Sequence, residues 1–317
     1  MSESRGEQRV VVGLGELLWD VFPEGPRLGG APANFAVMCG RLGDHAVIGS
    51  RVGTDALGQQ ALRVLESLPV DLSYLQADGE FATGTVAVAL EDGEPHYTIH
   101  EPVAWDGLAF TPEWRELAGR ADAVCVGTLA QRSDVSRETI LEFLDATRPA
   151  CVRIFDVNLR GPFVSGEVVR ATLARATVVK LNAHELPQVL VASGGSRFAA
   201  RAQDEEELLR GARVLLERYP ARLVCVTLGG RGSLLVTRET CHRHEGVATV
   251  VRDTVGAGDA FTAALAHAYL EGATLATMNE AGNRWGAWMA SQPGGMPRLP
   301  GETLAAVTGE IRGSRER

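Results

Sequence analysis

Lysine is almost absent from this chain. Of 31 basic side chains in 317 residues, Lys180 is the only lysine and the rest are arginines. No Gly-Lys pair occurs. A Walker A loop, which ends in Gly-Lys-Ser/Thr to hold phosphates, is therefore missing. The lysine-dependent phosphate site of the protein kinases is disfavoured on the same ground. Paired cysteines are missing too. The five cysteines, at 39, 125, 151, 225 and 241, stand singly without a Cys-x-x-Cys, which argues against a zinc site and a disulfide framework. No run of about 20 apolar residues offers a membrane span. The opening MSESRGEQR is polar and lacks the apolar stretch of a signal peptide, so a cytoplasmic protein is expected. Positive charge is not in excess either. A net charge of −9 gives no electrostatic reason to expect nucleic acid or an anionic membrane as partner. An anionic substrate would need a local positive site. Finally, GLGELL (13–18) has Gly13 and Gly15 but Leu18 where a dinucleotide fingerprint needs its third glycine, which weakens a nicotinamide-enzyme reading.

What is present is an ordinary globular composition, 45% apolar and 22% charged. The length suits one large domain, read here as a single unit over 1–317. RVVVGLGE reads as a buried strand ending at a glycine turn, and LLWDVFPEG as a second, more exposed strand. A helix is expected from Pro32, because proline suits a first helical position. HAVIGSRVG reads as another strand and DALGQQALRVLESL as an amphipathic helix. ATGTVAVALEDGEPHYTIH alternates apolar and polar residues around Asp92-Gly93, the pattern of an antiparallel hairpin.

From Asp122 onward, short apolar strands (DAVCVGT, VRIFDVN, ATVVKLN, RLVCVTLG) alternate with helical segments (VSRETILEFLDAT, SGEVVRATLARA, EEELLRGARVLLERY). SLLVT and the stretch near CHRHEGVATVV add strands, and TMNEAGNRWGAWMAS and GETLAAVTGEI read as late helices. SGGSRFAARAQ (193–203) reads as a loop, and GSRER as a frayed end. The fold class is α/β: a mostly parallel central sheet flanked by helices. The segments 16–30 and 84–102 do not fit that alternation. They are expected to form a small separate sheet, a lid near the carboxyl edge where such folds bind ligands.

DTVGAGDAF (253–261) places Gly256-Ala257-Gly258 directly before an acid and a helix. A helix N-terminus offers unpaired N–H groups and partial positive charge, and glycines let a phosphate approach them without any lysine. Asp259 at that spot would repel a phosphate unless it has a task, such as accepting a proton from an attacking hydroxyl. On physical grounds alone the stretch is either an anion hole or a capped helix after a tight turn.

The same stretch closely resembles the C-terminal signature of the ribokinase-like (PfkB) carbohydrate kinases, and GGAPANFA (29–36) resembles their N-terminal signature. GELLWD, FDVNLR, NAHE, TLGGRG and AGN fill the interval, so the resemblance spans nearly the whole chain. It implies a ribokinase-like fold and an ATP-dependent sugar kinase using Mg²⁺. By position it implies Asp259 as the base and Gly256, Ala257 and Gly258 as the anion hole. Asp20, Gly29, Gly30 and Asn34 match sugar-binding positions at the lid edge. Asn182 and Glu185 match an Asn-x-x-Glu motif that places phosphates and Mg²⁺ with its waters. Thr227, Gly229 and Gly232 match the turn lining the nucleotide, and Asn283 a position beside adenine. Asp253 matches part of a monovalent-cation site, for K⁺, found in some members.

Each position also has a bland alternative. Asp20 could be an exposed strand residue, although a carboxylate can accept two sugar hydroxyls. Asn34 could simply help cap its helix. Asn182 and Glu185 could be a helix-start pair. Arg160, closing FDVNLR at a strand end, could bind phosphate or substrate, pair with an acid, or be a surface residue. Tyr97, Trp105 and Gln131 could touch substrate or only pack.

GELLWDVFPEG with GGAPAN, GTLAQRS and DVNLR look most like the fructokinase branch, so fructose is the first expectation. Ribose, 2-keto-3-deoxygluconate or a nucleoside are alternatives. A sugar acid would call for a basic contact from the lid, and GEPHYTIH offers only His96 and His100. A sugar or nucleotide sensor without turnover is the alternative of another class, opposed by the intact Asp259. Lid strands with an open edge allow a homodimer.

Overall fold

The computed structural model describes residues 8–91, 94–194 and 204–299, without the side chains of 88–97. The first strands are β1 (Val10–Leu14), β2 (Leu18–Phe22), β3 (Gly25–Gly29), β4 (His45–Gly49), β5 (Arg51–Gly53), β6 (Gln76–Asp78), β7 (Gly84–Glu91) and β8 (Glu94–Ile99). Among these lie helices α1 (Ala31–Leu42) and α2 (Ala56–Leu65), and after them α3 (Pro112–Arg120). The alternating half follows as β9 (Ala123–Val126), α4 (Asp134–Ala146), β10 (Val152–Asp156), α5 (Gly166–Leu173), β11 (Val178–Asn182), α6 (Glu185–Ala192), α7 (Glu205–Arg218) and β12 (Leu223–Thr227). A hairpin, β13 (Ser233–Val236) and β14 (Cys241–His244), then leads to α8 (Ala257–Leu270) and α9 (Leu275–Ala290).

The main sheet runs in the order β14-β13-β12-β11-β10-β9-β1-β4. Strands β12 to β4 in that order are parallel, and β13 and β14 join antiparallel. The parallel strands are short apolar runs because both of their faces are covered. One face carries a core with Val124, Phe155, Val179 and Leu181 under the helices from α3 to α7. The other carries Ile154, Val178 and Cys225 with α1, α8 and α9. Helix α8 reads AGDAFTAALAHAYL, and its small residues let it lie close between the sheet and both neighbouring helices.

The small separate sheet expected as a lid is present. It is a four-stranded sheet of order β3-β2-β7-β8, with β2 parallel to β7 and the two outer pairs antiparallel. Several local expectations shift. LLWDVFPEG supplies the expected strand as β2 and continues through a turn into β3, so it is the first arm of a hairpin. HAVIGSRVG breaks at Ser50, and Arg51–Gly53 pairs with β6 in a separate two-stranded sheet. Helix α1 begins at Ala31, with Pro32 in its first turn. PEWRELAGR forms α3, which the sequence reading passed over. The expected helix GETLAAVTGEI, the frayed end GSRER and residues 195–203 of the expected loop lie outside the described residues.

Candidate active site

The parallel strands end on the same edge of the sheet, and the turns after β1, β10, β11 and β12 each supply part of the site. After β1 the chain turns through Gly15 and Glu16 into lid strand β2, which carries Asp20. Strand β3 returns to Gly30, the residue before α1, whose φ is 107°. A Cβ at Gly30 would stand 2.4 Å from the Glu16 carbonyl oxygen, so only glycine lets the two turns touch. Asn34 lies one turn into α1 and is buried.

On the opposite wall, Gly256 caps α8 in the left-handed conformation, with φ 74°. Asp259 follows in the first turn. The Asn34 amide donates to Asp259 Oδ2 at 2.8 Å, so α1 and α8 meet at the predicted base. Burial first, then the nearby Asp156 charge, pushes the Asp259 carboxyl up to about 6, against the pull of the Asn34 hydrogen bond, Lys180 and Arg160. Such a group is ionised near neutrality yet still basic enough to take a hydroxyl proton. The turn ahead of it keeps its helix-start amides, although Ala257 N–H reaches back to Thr254 O at 3.2 Å.

Asp20 is raised to about 6, chiefly by burial, with Arg160 opposing and Asp253 adding to the rise. Arg160 is exposed, and its nearest bond is a long one of 3.5 Å to the Leu159 carbonyl. Its charge acts on Glu16, Asp20 and Asp259, so all three lie within its electrostatic reach. Gly29, Gly30, Asn34, Asp20 and Asp259 thus lie along one chain of contacts, with Arg160 in electrostatic reach of both carboxyls.

Asn182 and Glu185 form a reciprocal helix cap. Asn182 Oδ1 accepts from Glu185 N at 3.0 Å, and Glu185 Oε2 accepts from Asn182 N at 2.8 Å. Glu185 Oε1 also accepts from Leu159 N at 2.8 Å, tying α6 to the loop after β10. A cavity of about 490 Å³ opens beside them, lined in part by Arg160, Asn182 and Glu185. Among the described residues no group of three or more His, Cys, Asp or Glu could hold a metal directly. One carboxylate and one amide still fit a Mg²⁺ that keeps its waters and takes phosphate oxygens for the rest.

Asp253 is already engaged. Its Oδ1 accepts from Val255 N at 3.0 Å, and its Oδ2 from Gly294 N at 3.0 Å and from Arg27 Nη1 at 3.1 Å. Arg27 comes from lid strand β3, so this pair bridges lid and sheet. A K⁺ ion at Asp253 would have to share the carboxylate with a guanidinium.

Thr227 ends β12, and Gly229 and Gly232 bracket the short turn before β13. Asn283, on α9, is buried. Its amide donates to Ser233 Oγ, to Asn279 O and to Asn279 Oδ1 at 2.7 to 3.0 Å, so it is committed to an internal network behind that turn. Trp105 is buried against the Arg132 guanidinium, and Gln131 is buried and bonded to Gly127 O and Thr172. The Tyr97 side chain lies outside the described residues.

Three residues went unassigned in the sequence reading. Glu16 is buried with Oε2 unpartnered, and burial, with Asp259 adding, drives its carboxyl to about 7. Asp156 and Lys180 form a buried pair at 3.0 Å. A lone lysine in an apolar strand was the only available signal.

Comparison with known proteins places this geometry. The model of the pfkB family carbohydrate kinases matches residues 25–301. A fructokinase of Salmonella typhimurium is 32% identical over 265 residues, covering 80% of this chain and 81% of that protein. Among solved structures, a sugar kinase of Pyrococcus horikoshii in complex with ATP superposes with a TM-score of 0.80 at 25% identity, over 95% of this chain and 99% of that one. A fructokinase of Vibrio cholerae with fructose, ADP and calcium bound gives 0.76 at 26% identity, over 95% and 99%. No helix among the described residues is long and apolar enough to cross a membrane. With an eight-stranded main sheet, a four-stranded smaller one and a glycine-capped α8 that starts with an acid, the chain belongs to the pfkB family of carbohydrate kinases, phosphotransferases with an alcohol group as acceptor.

Proposed function

We propose that this single-domain kinase transfers the γ-phosphoryl group of ATP to a hydroxyl of a neutral sugar, with fructose the first candidate. The observation that carries the reading is Asp259, half-buried in the first turn of α8, held by Asn34 and raised to about 6. The sugar would sit between Asp20, Gly29, Gly30, Asn34 and Asp259. Asp20 and Asn34 would hold hydroxyls, and Asp259 would take the proton of the attacking one. The amides of Gly256–Gly258 would face the charge on the transferred group, and Arg160 would add to it. The nucleotide would lie along Thr227, Gly229 and Gly232, with Asn283 behind the turn. Mg²⁺ would be held through waters by Asn182 and Glu185, and would supply charge neutralisation across the phosphates. The lid would exclude competing water.

Charge favours a neutral sugar over a sugar acid. Glu16, Asp20, Asp253 and Asp259 crowd this region. Of the nearby cations, Arg27 is paired with Asp253, and Arg132 with Asp106. His100 is bonded to Thr85. Among the described side chains of this region, Arg160 is the cation left for a substrate carboxylate. The sequence likeness to fructokinases supports fructose within the neutral class. A homodimer through an open lid edge, β3 or β8, belongs to the same proposal and is tested by sedimentation.

The deciding experiment is ADP release with Mg²⁺-ATP against D-fructose, D-ribose, 2-keto-3-deoxygluconate and adenosine, run with and without K⁺. Turnover is expected on fructose. Turnover on the sugar acid alone would overturn the neutral-sugar reading, and none on any acceptor would overturn the kinase assignment at this site.

A further inference from the structure

The single lysine of the chain lies directly beneath the Gly256–Gly258 turn. Lys180 is central in β11, on the face that packs against α8. Its register partner on β10 is Asp156, and both Asp156 oxygens lie 3.0 Å from its Nζ. The Thr262 hydroxyl, on α8, lies 2.8 Å from Asp156 Oδ2 and 2.9 Å from the Gly258 carbonyl. Its one proton can go to either acceptor, so it ties the pair to the turn. A Cβ at Gly258 would stand 2.9 Å from Lys180 Nζ, so the missing side chain makes room for the ammonium.

Burial works against the charge on Lys180. Asp156 answers it directly, with both carboxylate oxygens within ion-pair distance of Nζ. A buried ion pair is a poor way merely to stabilise a strand, since well-packed apolar residues serve as well. Here the pair stands behind the turn and beside the base.

We propose that Lys180 is a positioning residue for phosphoryl transfer: held by Asp156 under Gly258, it supports the turn, places positive charge behind it, and keeps Asp156 paired so that Asp259 is the carboxylate left to take the sugar proton. The inference rests on the kinase reading above. The groups facing Asp259 are Glu16 after β1, Asp156 on β10, Arg160 after β10, Lys180 on β11 and the neutral Asn34 on α1. The Cys125 thiol on β9 also lies near, held protonated by its own burial and by the Asp156 and Asp259 charges.

The two partners pull Asp259 in opposite directions, and that gives the test. Lys180→Met leaves the Asp156 anion unpaired beside Asp259, so the acid limb of the kcat/KM profile should move up by about one pH unit. Its kcat should fall about tenfold, with sugar KM nearly unchanged. Asp156→Asn removes the anion and should move the limb down. The double variant, which removes both charges, should lie between the two singles. A pair that serves only packing would lower stability in each variant and leave the limb in place, which would overturn the inference.

Carboxyl ¹³C NMR titration of the protein without sugar or nucleotide follows the same group, with the Asp259 resonance assigned through Asp259→Asn. Opposite shifts of its midpoint in the two single variants are expected, and an unmoved midpoint overturns the inference. Should Lys180→Met fail to fold, the downward shift in Asp156→Asn and its reversal in the double variant still decide. Absence of turnover on every sugar would defeat the kinase reading separately, because the NMR measurement needs none.

Discussion

Replacing Asp259 by asparagine should make the protein more stable while disabling it. The carboxyl moves from 3.8 to about 6 on folding, chiefly through burial. At 1.36 kcal/mol per unit, that shift corresponds to about 3 kcal/mol. The folded state holds this proton more tightly than the unfolded chain does. The group's contribution is therefore fully favourable below about pH 3.8 and is lost as pH rises through 6. Asparagine is never charged, and its side-chain oxygen can still accept from the Asn34 amide. Relative to wild type, the variant should gain about 2 kcal/mol between roughly pH 4.5 and pH 8, and be about 3 kcal/mol more stable at the upper end. For a chain of this size that is roughly 6 °C in Tm. Urea unfolding of both proteins across that range measures it. An advantage that does not grow with pH, or a variant less stable at pH 8, would refute the reasoning. Turnover should fall by about 10² to 10⁴-fold with ATP binding intact, and near-normal turnover would remove Asp259 as the base.

Asp20→Ala should raise sugar KM far more than it weakens nucleotide binding; equal losses, read by calorimetry, would contradict the assignment. Glu16→Gln removes a buried carboxyl poised at about 7 beside Asp259. Because that carboxyl is still largely protonated while Asp259 ionises near 6, the acid limb of the pH–rate profile should stay in place, and a limb displaced by more than about half a pH unit would contradict that order of ionisation. Arg27→Ala cuts the bridge from lid strand β3 to Asp253. With the Arg27 side chain 41% exposed, the cost in stability should stay within about 1 kcal/mol. Sugar KM should rise and K⁺ should gain influence on the rate, both measured by titration against a choline control.

Local chemistry alone made much of this protein legible. The βα alternation after Asp122 announced a parallel sheet, because strands covered on both faces must be short apolar runs. The alternating stretch around Asp92-Gly93 announced a lid hairpin. Gly256, Gly258 and Asp259 announced a glycine-capped helix start with an acid in its first turn, open to an anion-hole or a plain-cap reading. Other features were closed to the sequence because they depend on elements distant in the chain. Nothing in GELLWD says that Glu16 is buried with one carboxyl oxygen unpartnered; that follows from the crossing of the turn after β1 with Gly30. The Asn-x-x-Glu stretch carries a helix cap within itself, but its tie to Leu159 needs β10 beside β11. Asp253 reads as a cation ligand until the lid brings Arg27 to it. Lys180 is the sharpest case. In sequence it is one charge inside an apolar strand. Only strand register beside Asp156, and α8 laid across that face, set it under the glycine turn, where a buried charge has a reason to be.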